Sequence, residues 1–328
     1  LILDALDQVL QRQFALFQAF HRQLIAGPAV VHRRDRLVQI AVFAPQHLER
    51  LGPLLERAVS AGANQDFTFV NAPITLGVGI ITNNGSTITL QGDTSVSSLT
   101  AAGSDLYVYT NQGTMNLNMT LTGAMNFVKS GGGTLALRPP SSPVSNDFLG
   151  TTFVNQGTLN LNAPPGGYVL IPGDLVVSGW GSGANTTVSM LNNQSQIAAT
   201  SSISLLGGAN LNLVGTNTLN AVLFDNEGGM SNPTLATAVK LTLTAANAVT
   251  ATNQSPVSVP VISGTSLEFS ASDPVLTVHA GLAATGLVIS APILQSAGMQ
   301  TLTKQGSGVL ALSGASTFNS PFNLNAGA

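Results

Sequence analysis

Residues 154–164 read VNQGTLNLNAP, a phrase with no group suited to acid–base, nucleophilic or metal chemistry, yet TNQGTMNLN stands 44 residues earlier at 110–118. Seven of the nine positions aligned from 154–162 onto 110–118 are identical. In each copy apolar residues take alternate places, Leu159 and Leu161 in one and Met115 and Leu117 in the other, with Asn between them. A two-residue period predicts a half-buried strand, since successive side chains point to opposite faces. Leu159 and Leu161 then turn inward, Thr158 and Asn160 face water, and Asn155-Gln156-Gly157 makes the preceding turn. The same rhythm recurs at TITL (87–90), DLYVY (105–109), TLAL (134–137), NLNL (210–213), KLTLT (240–244) and VLAL (309–312).

A second phrase also repeats. FVKSGGGTLALRP (127–139) and LTKQGSGVLALSG (302–314) share Lys-x-Gly-x-Gly-x-Leu-Ala-Leu. Fixed repeat spacings of tens of residues mean stacked units, each burying its apolar face against its neighbours. The 44-residue offset fits two coils of about 22 residues, and 67–328 would make about twelve of them. Lys129 and Lys304 open the two copies, and their recurrence at one register argues for a structural place along the outer face.

Composition agrees with a strand-rich solenoid. Charged residues make up 8% of the chain, against about 25% in ordinary domains, while apolar content is 44%. Gly, Thr, Ser and Asn fill the remainder, the palette of strands joined by tight turns. There is no Cys, which excludes disulfides, Cys-ligated zinc and thiol catalysis. No run of 18 apolar residues offers a membrane-spanning helix, and Asp4 and Asp7 stand where a signal peptide would be basic.

Charge divides the chain in two. Residues 1–66 hold seven of the eleven Lys and Arg and three of the four His. Leu3, Leu6, Leu10, Phe14, Phe17, Phe20 and Leu24 recur at helical spacing, and 47–59 reads as a second helix after a short strand-like run at 37–43. This segment is either a small helical region or a reading frame foreign to residues 67–328. Its His residues are too irregularly spaced for a metal site. Residues 67–328 carry only Lys129, Arg138, Lys240 and Lys304 against eight acids, so no nucleic-acid surface is expected there.

The Lys-x-Gly-x-Gly phrase with its sequel resembles the passenger-associated repeat of bacterial autotransporters. The matching residues are Lys304, Gly306, Gly308, Leu310, Leu312, Ser313 and Gly314, then Thr317, Asn325 and Gly327. In the earlier copy they are Lys129, Gly131, Gly133, Thr134, Leu135 and Leu137, completed by Asn155, Gly157, Thr158 and Leu159. Phe318 replaces a family Tyr, and Arg138-Pro139-Pro140 replaces the Ser-Gly turn. The resemblance implies a right-handed parallel β-helix over 67–328, exported to the bacterial surface or beyond it, with an outer-membrane barrel downstream as its partner.

Chemistry is sparse. Asp225 and Glu227, two apart, are the nearest approach to the carboxylate pair of a polysaccharide-degrading enzyme, but their Asn-Glu-Gly-Gly setting reads better as a turn. Ser182 and Ser307 lack a nucleophile-elbow frame, and Gly77 and Gly79 precede no helix. The sequence is therefore read as a non-enzymatic structural or adhesive segment, with no cofactor and no metal. Its alternatives are the β-helical enzyme and a stalk that only supports secretion. Contact with surface glycans or proteins is assigned to the loops 138–147, 163–168, 179–185 and 225–233, with Tyr168, Trp180, Asn185, Asp225 and Glu227 as candidate contacts.

Overall fold

The computed structural model describes residues 37–39, 58–60, 65–69, 73–77, 79–82, 85, 87–92, 97–139, 144–179, 186–192 and 195–328. Among these residues there is no helix. The alternation in TLNL becomes a burial pattern: Leu159 and Leu161 are fully buried, and Thr158 and Asn160 are half-buried on the other face. From Thr114–Asn118 the chain passes to Thr120–Leu121 and Asn126–Ser130, then returns to Thr134–Leu137 beside its starting strand. That circuit, repeated, is a parallel β-solenoid.

Two long sheets each contain eleven strands, one running from Gln65–Phe69 to Leu310–Leu312 and the other from Gly79–Thr82 to Phe322–Leu324. Thr134 pairs in parallel with Thr114 on one side and Thr158 on the other, so the 44-residue offset spans two coils. Eleven strands rather than about twelve reflect coils lengthened by insertions. Thr158 pairs with Thr187, 29 residues on, because two loops intervene.

Stacking places like upon like. Met115, Leu135, Leu159, Val188, Leu211 and Leu235 follow one another in register, and all are fully buried. Each coil therefore covers the apolar face of the next, which no single coil could do alone.

The third side of the coil is less regular. Three short strands (Ile74–Leu76, Ser98–Ala101, Thr120–Leu121) and four later ones (Thr216–Leu219, Lys240–Leu243, Leu267–Phe269, Ile293–Leu294) are separated by a stretch with only the Ile171–Ile197 bridge. Side-chain amides replace the missing ladder there. Asn146 accepts from the Leu121 N–H at 2.9 Å and donates to the Leu170 carbonyl at 2.8 Å, while Gln196 accepts from the Ala163 N–H at 2.8 Å. Both side chains are buried, and they keep the inner backbone groups paired where loops interrupt the strands.

The helical reading of 1–66 falls almost entirely outside the described residues. Leu37–Gln39 is a strand, as read for 37–43, and pairs antiparallel with Ala58–Ser60, while Gln65–Phe69 joins the first long sheet. Ala58 and Val59 thus leave the helix expected over 47–59, since a partner strand satisfies their backbone groups.

Candidate functional site

The inward column of the second long sheet runs Val108, Lys129, Val154, Val177 in register. A lysine occupies a valine place, and it is fully buried. Its Nζ donates to the carbonyls of Gly131 (2.6 Å), Gln156 (2.8 Å) and Ser130 (3.2 Å). Lys304 does the same between Leu276 and Leu324, donating to Gly306 and Gly308 at 2.5 Å and to Ala326 at 2.7 Å. In each case two acceptors lie just beyond the lysine and the third belongs to the next coil. The outer-face placement expected from sequence is therefore wrong. Turn carbonyls converge on the interior, and only a long side chain bearing several donors reaches them.

Burial pushes the Lys129 amine down, to about 7, and lowers that of Lys304 as well. The carbonyls oppose this effect, because ammonium has three N–H donors for three oxygens and a neutral amine has two. The glycines of the motif form the same cage. Gly131 has φ +83°, and a Cβ there would collide with the Thr110 carbonyl of the preceding coil. Gly157, at φ +72°, lies over the carbonyls of Gly131 and Gly133.

The candidate loops sort onto two corners. Turns from the second long sheet into the first contain 111–113, 131–133 and 155–157, and the same corner later carries 227–233. Turns leaving the first long sheet contain 138–139, 144–147 and 163–168. Tyr168, half-buried, is thus on a different corner from Asp225 and Glu227, and the fold does not bring them together. Trp180 and Asn185 lie outside the described residues. No group of three or more His, Cys, Asp or Glu among the described residues could hold a metal ion, and no described helix could cross a membrane.

A model of the passenger-associated-transport-repeat matches residues 127–161 and 302–328, the two stretches built around the buried lysines. These two stretches are similar to that repeat. No curated protein and no solved structure matches it. Leu135 and Leu137 are buried between the strands Thr114–Asn118 and Thr158–Leu161. Gly314 lies against the backbone of Ala291 and Pro292 in the neighbouring coil.

Between the repeats, Asp225 lies half-buried on the outward side of the strand Val222–Asn226, and Glu227 is exposed just past its end. Burial, and secondarily the Glu227 charge, hold the Asp225 carboxyl above its usual range, and its Oδ1 has no hydrogen-bond partner. The folded chain therefore binds this proton more tightly than the unfolded chain, so stability falls as pH rises from the unfolded value through the raised one. Asp225→Asn is expected to raise the melting temperature at pH 7, with the gain vanishing below about pH 4. Thermal melts at pH 3 and pH 7 check this, and a lower melting temperature at pH 7 contradicts it.

Sequence reasoning missed the polar cluster beneath this corner. Asn226 donates to Asn253 Oδ1 at 2.8 Å and to Ser258 Oγ at 3.0 Å. The Ser255 and Ser258 hydroxyls both donate to the Gly229 carbonyl, at 2.8 and 2.6 Å. All four side chains are buried. The only sequence trace is an Asn followed by Glu or Gln in DNEGG (225–229) and TNQSP (252–256), which carries no alternation and no fixed period.

Proposed function

We propose that this chain is an exported passenger segment of an autotransporter-type protein, a stiff β-solenoid that holds corner loops away from a bacterial surface for contact with glycans or proteins. The observation that supports it is the match of two stretches to the passenger-associated-transport-repeat together with two continuous eleven-stranded parallel sheets. Strands supply stiffness through continuous backbone pairing, while insertions are confined to corners where the ladder does not need them. On this reading a downstream outer-membrane barrel is the partner in secretion.

Replacing 144–147, 163–168 and 227–233 in turn by alanine and serine tests the adhesive part. Binding of the chain to cultured cells and to a glycan array is expected to fall at least tenfold for one of the three. If all three variants bind like wild type, contact does not run through these loops and the loop reading fails; if the wild-type chain binds neither cells nor glycans, the segment is a stalk. The raised carboxyl of Asp225 beside Glu227 favours one second reading, hydrolysis of a polysaccharide. Reducing-sugar release that is lost in Asp225→Asn and Glu227→Gln would establish it and displace the adhesive reading.

A further inference from the structure

We propose that the cleft where three successive coils leave the first long sheet binds one neutral saccharide unit, which rests on the adhesive reading above and gives it a place and a ligand class. The cleft has a volume of about 350 Å³ and is lined by 165–167, Asn192, Ser195 and 214–215. These segments follow the strands Thr158–Leu161, Thr187–Met190 and Asn210–Leu213, which are neighbours in the first long sheet. Three coils at ~4.8 Å spacing set corner groups over roughly 10 Å, the scale of a sugar ring with its hydroxyls.

The walls are built rather than incidental. Ser195 is held at φ +61°, a left-handed conformation that a residue with a Cβ adopts only when its surroundings impose it. Asn217, 2% exposed, imposes it. Its Oδ1 accepts from the Ser195 N–H at 2.9 Å, and its Nδ2 donates to the Val214 carbonyl at 2.9 Å, so one buried amide ties two walls together. The third wall is joined through Asn192, whose Nδ2 donates to Asn162 Oδ1. The Tyr168 ring lies against Gly166 of the first wall and packs against the apolar core, which fixes that wall in place.

The chemistry of the lining selects the ligand. No charged side chain is present, which gives no hold on a phosphate, a sulfate or an acidic sugar. An amide, a hydroxyl and the backbone groups of three glycines suit a ligand with several hydroxyls. A peptide fits less well. Strand addition needs an unpaired sheet edge, and these walls are turns.

Saturation-transfer NMR on the full chain tests the proposal, with the methyl glycosides of glucose, galactose, mannose and N-acetylglucosamine and with triglycine as probes. At least one glycoside is expected to show transfer, reduced at least fivefold by Asn192→Ala and by Ser195→Gly, the second of which keeps the left-handed turn. Triglycine is expected to show none. No transfer from any glycoside, or equal transfer in both cleft variants, overturns the proposal. So does transfer from triglycine in place of the sugars. Transfer lost instead in Asp225→Asn or Glu227→Gln, on the other corner, overturns the cleft while leaving the adhesive reading standing.

Discussion

Lys129→Met is expected to destabilise the chain by roughly 3 kcal/mol. The direction is not obvious. Lys129 stands in register between Val108 and Val154, so methionine should pack well there and would remove a desolvated charge. Replacing buried ions with apolar residues is often neutral or stabilising. The carbonyls decide the outcome here. Those of Ser130, Gly131 and Gln156 receive the lysine N–H groups; leaving the buried Gly131 carbonyl unpaired costs about 1–3 kcal/mol, and the two part-buried ones add to it. Relief of the buried charge offsets part of that loss. Urea unfolding of the full chain, followed by far-ultraviolet circular dichroism, measures it. A variant as stable as wild type would show that the lysine merely fills a valine place.

Gly157→Ala is expected to cost about 3 kcal/mol or more. Two penalties coincide. The backbone at φ +72° disfavours any Cβ. An added Cβ would also lie 2.5 Å from the carbonyl oxygens of Gly131 and Gly133, which are backbone atoms of the preceding coil. Those atoms cannot yield without opening the lysine cage, because Gly131 is one of its acceptors. Gly132→Ala is the control. Its nearest atom to a new Cβ is the Asn111 carbonyl oxygen at 3.6 Å, so its effect should stay within about 0.5 kcal/mol. Equal losses at 132 and 157 would contradict the account. The pair also explains the spacing in the repeat: one position in KSGGG tolerates a side chain, and Ser307 fills it in the second copy.

The strands were legible because their cause is local. Leu159 and Leu161 alternate with Thr158 and Asn160, and the period alone assigns one face to the interior. The 44-residue echo gave the coil length, and it held because identical phrases occupy the same register. The corners were harder. Tyr168 and Asp225 looked like members of one set of loops, yet they belong to different corners, and assigning them requires knowing which strand each loop leaves. Asn217, which ties the walls of the cleft, sits in a TNTL phrase no different in sequence from others that only form strands.

Sequence by itself therefore determined the strands and which of their residues face the apolar columns, because side-chain alternation is a property of one strand; that the strands stack in parallel was implied by the resemblance of the repeats. It also marked Lys129, Lys304 and their glycines as a repeated unit. Only the tertiary structure decided that the lysines point inward and why the glycines are needed. The groups that hold them are backbone carbonyls, which carry no side-chain signature. Lys129 meets Gln156 only when one coil lies on the next, 27 residues along the chain.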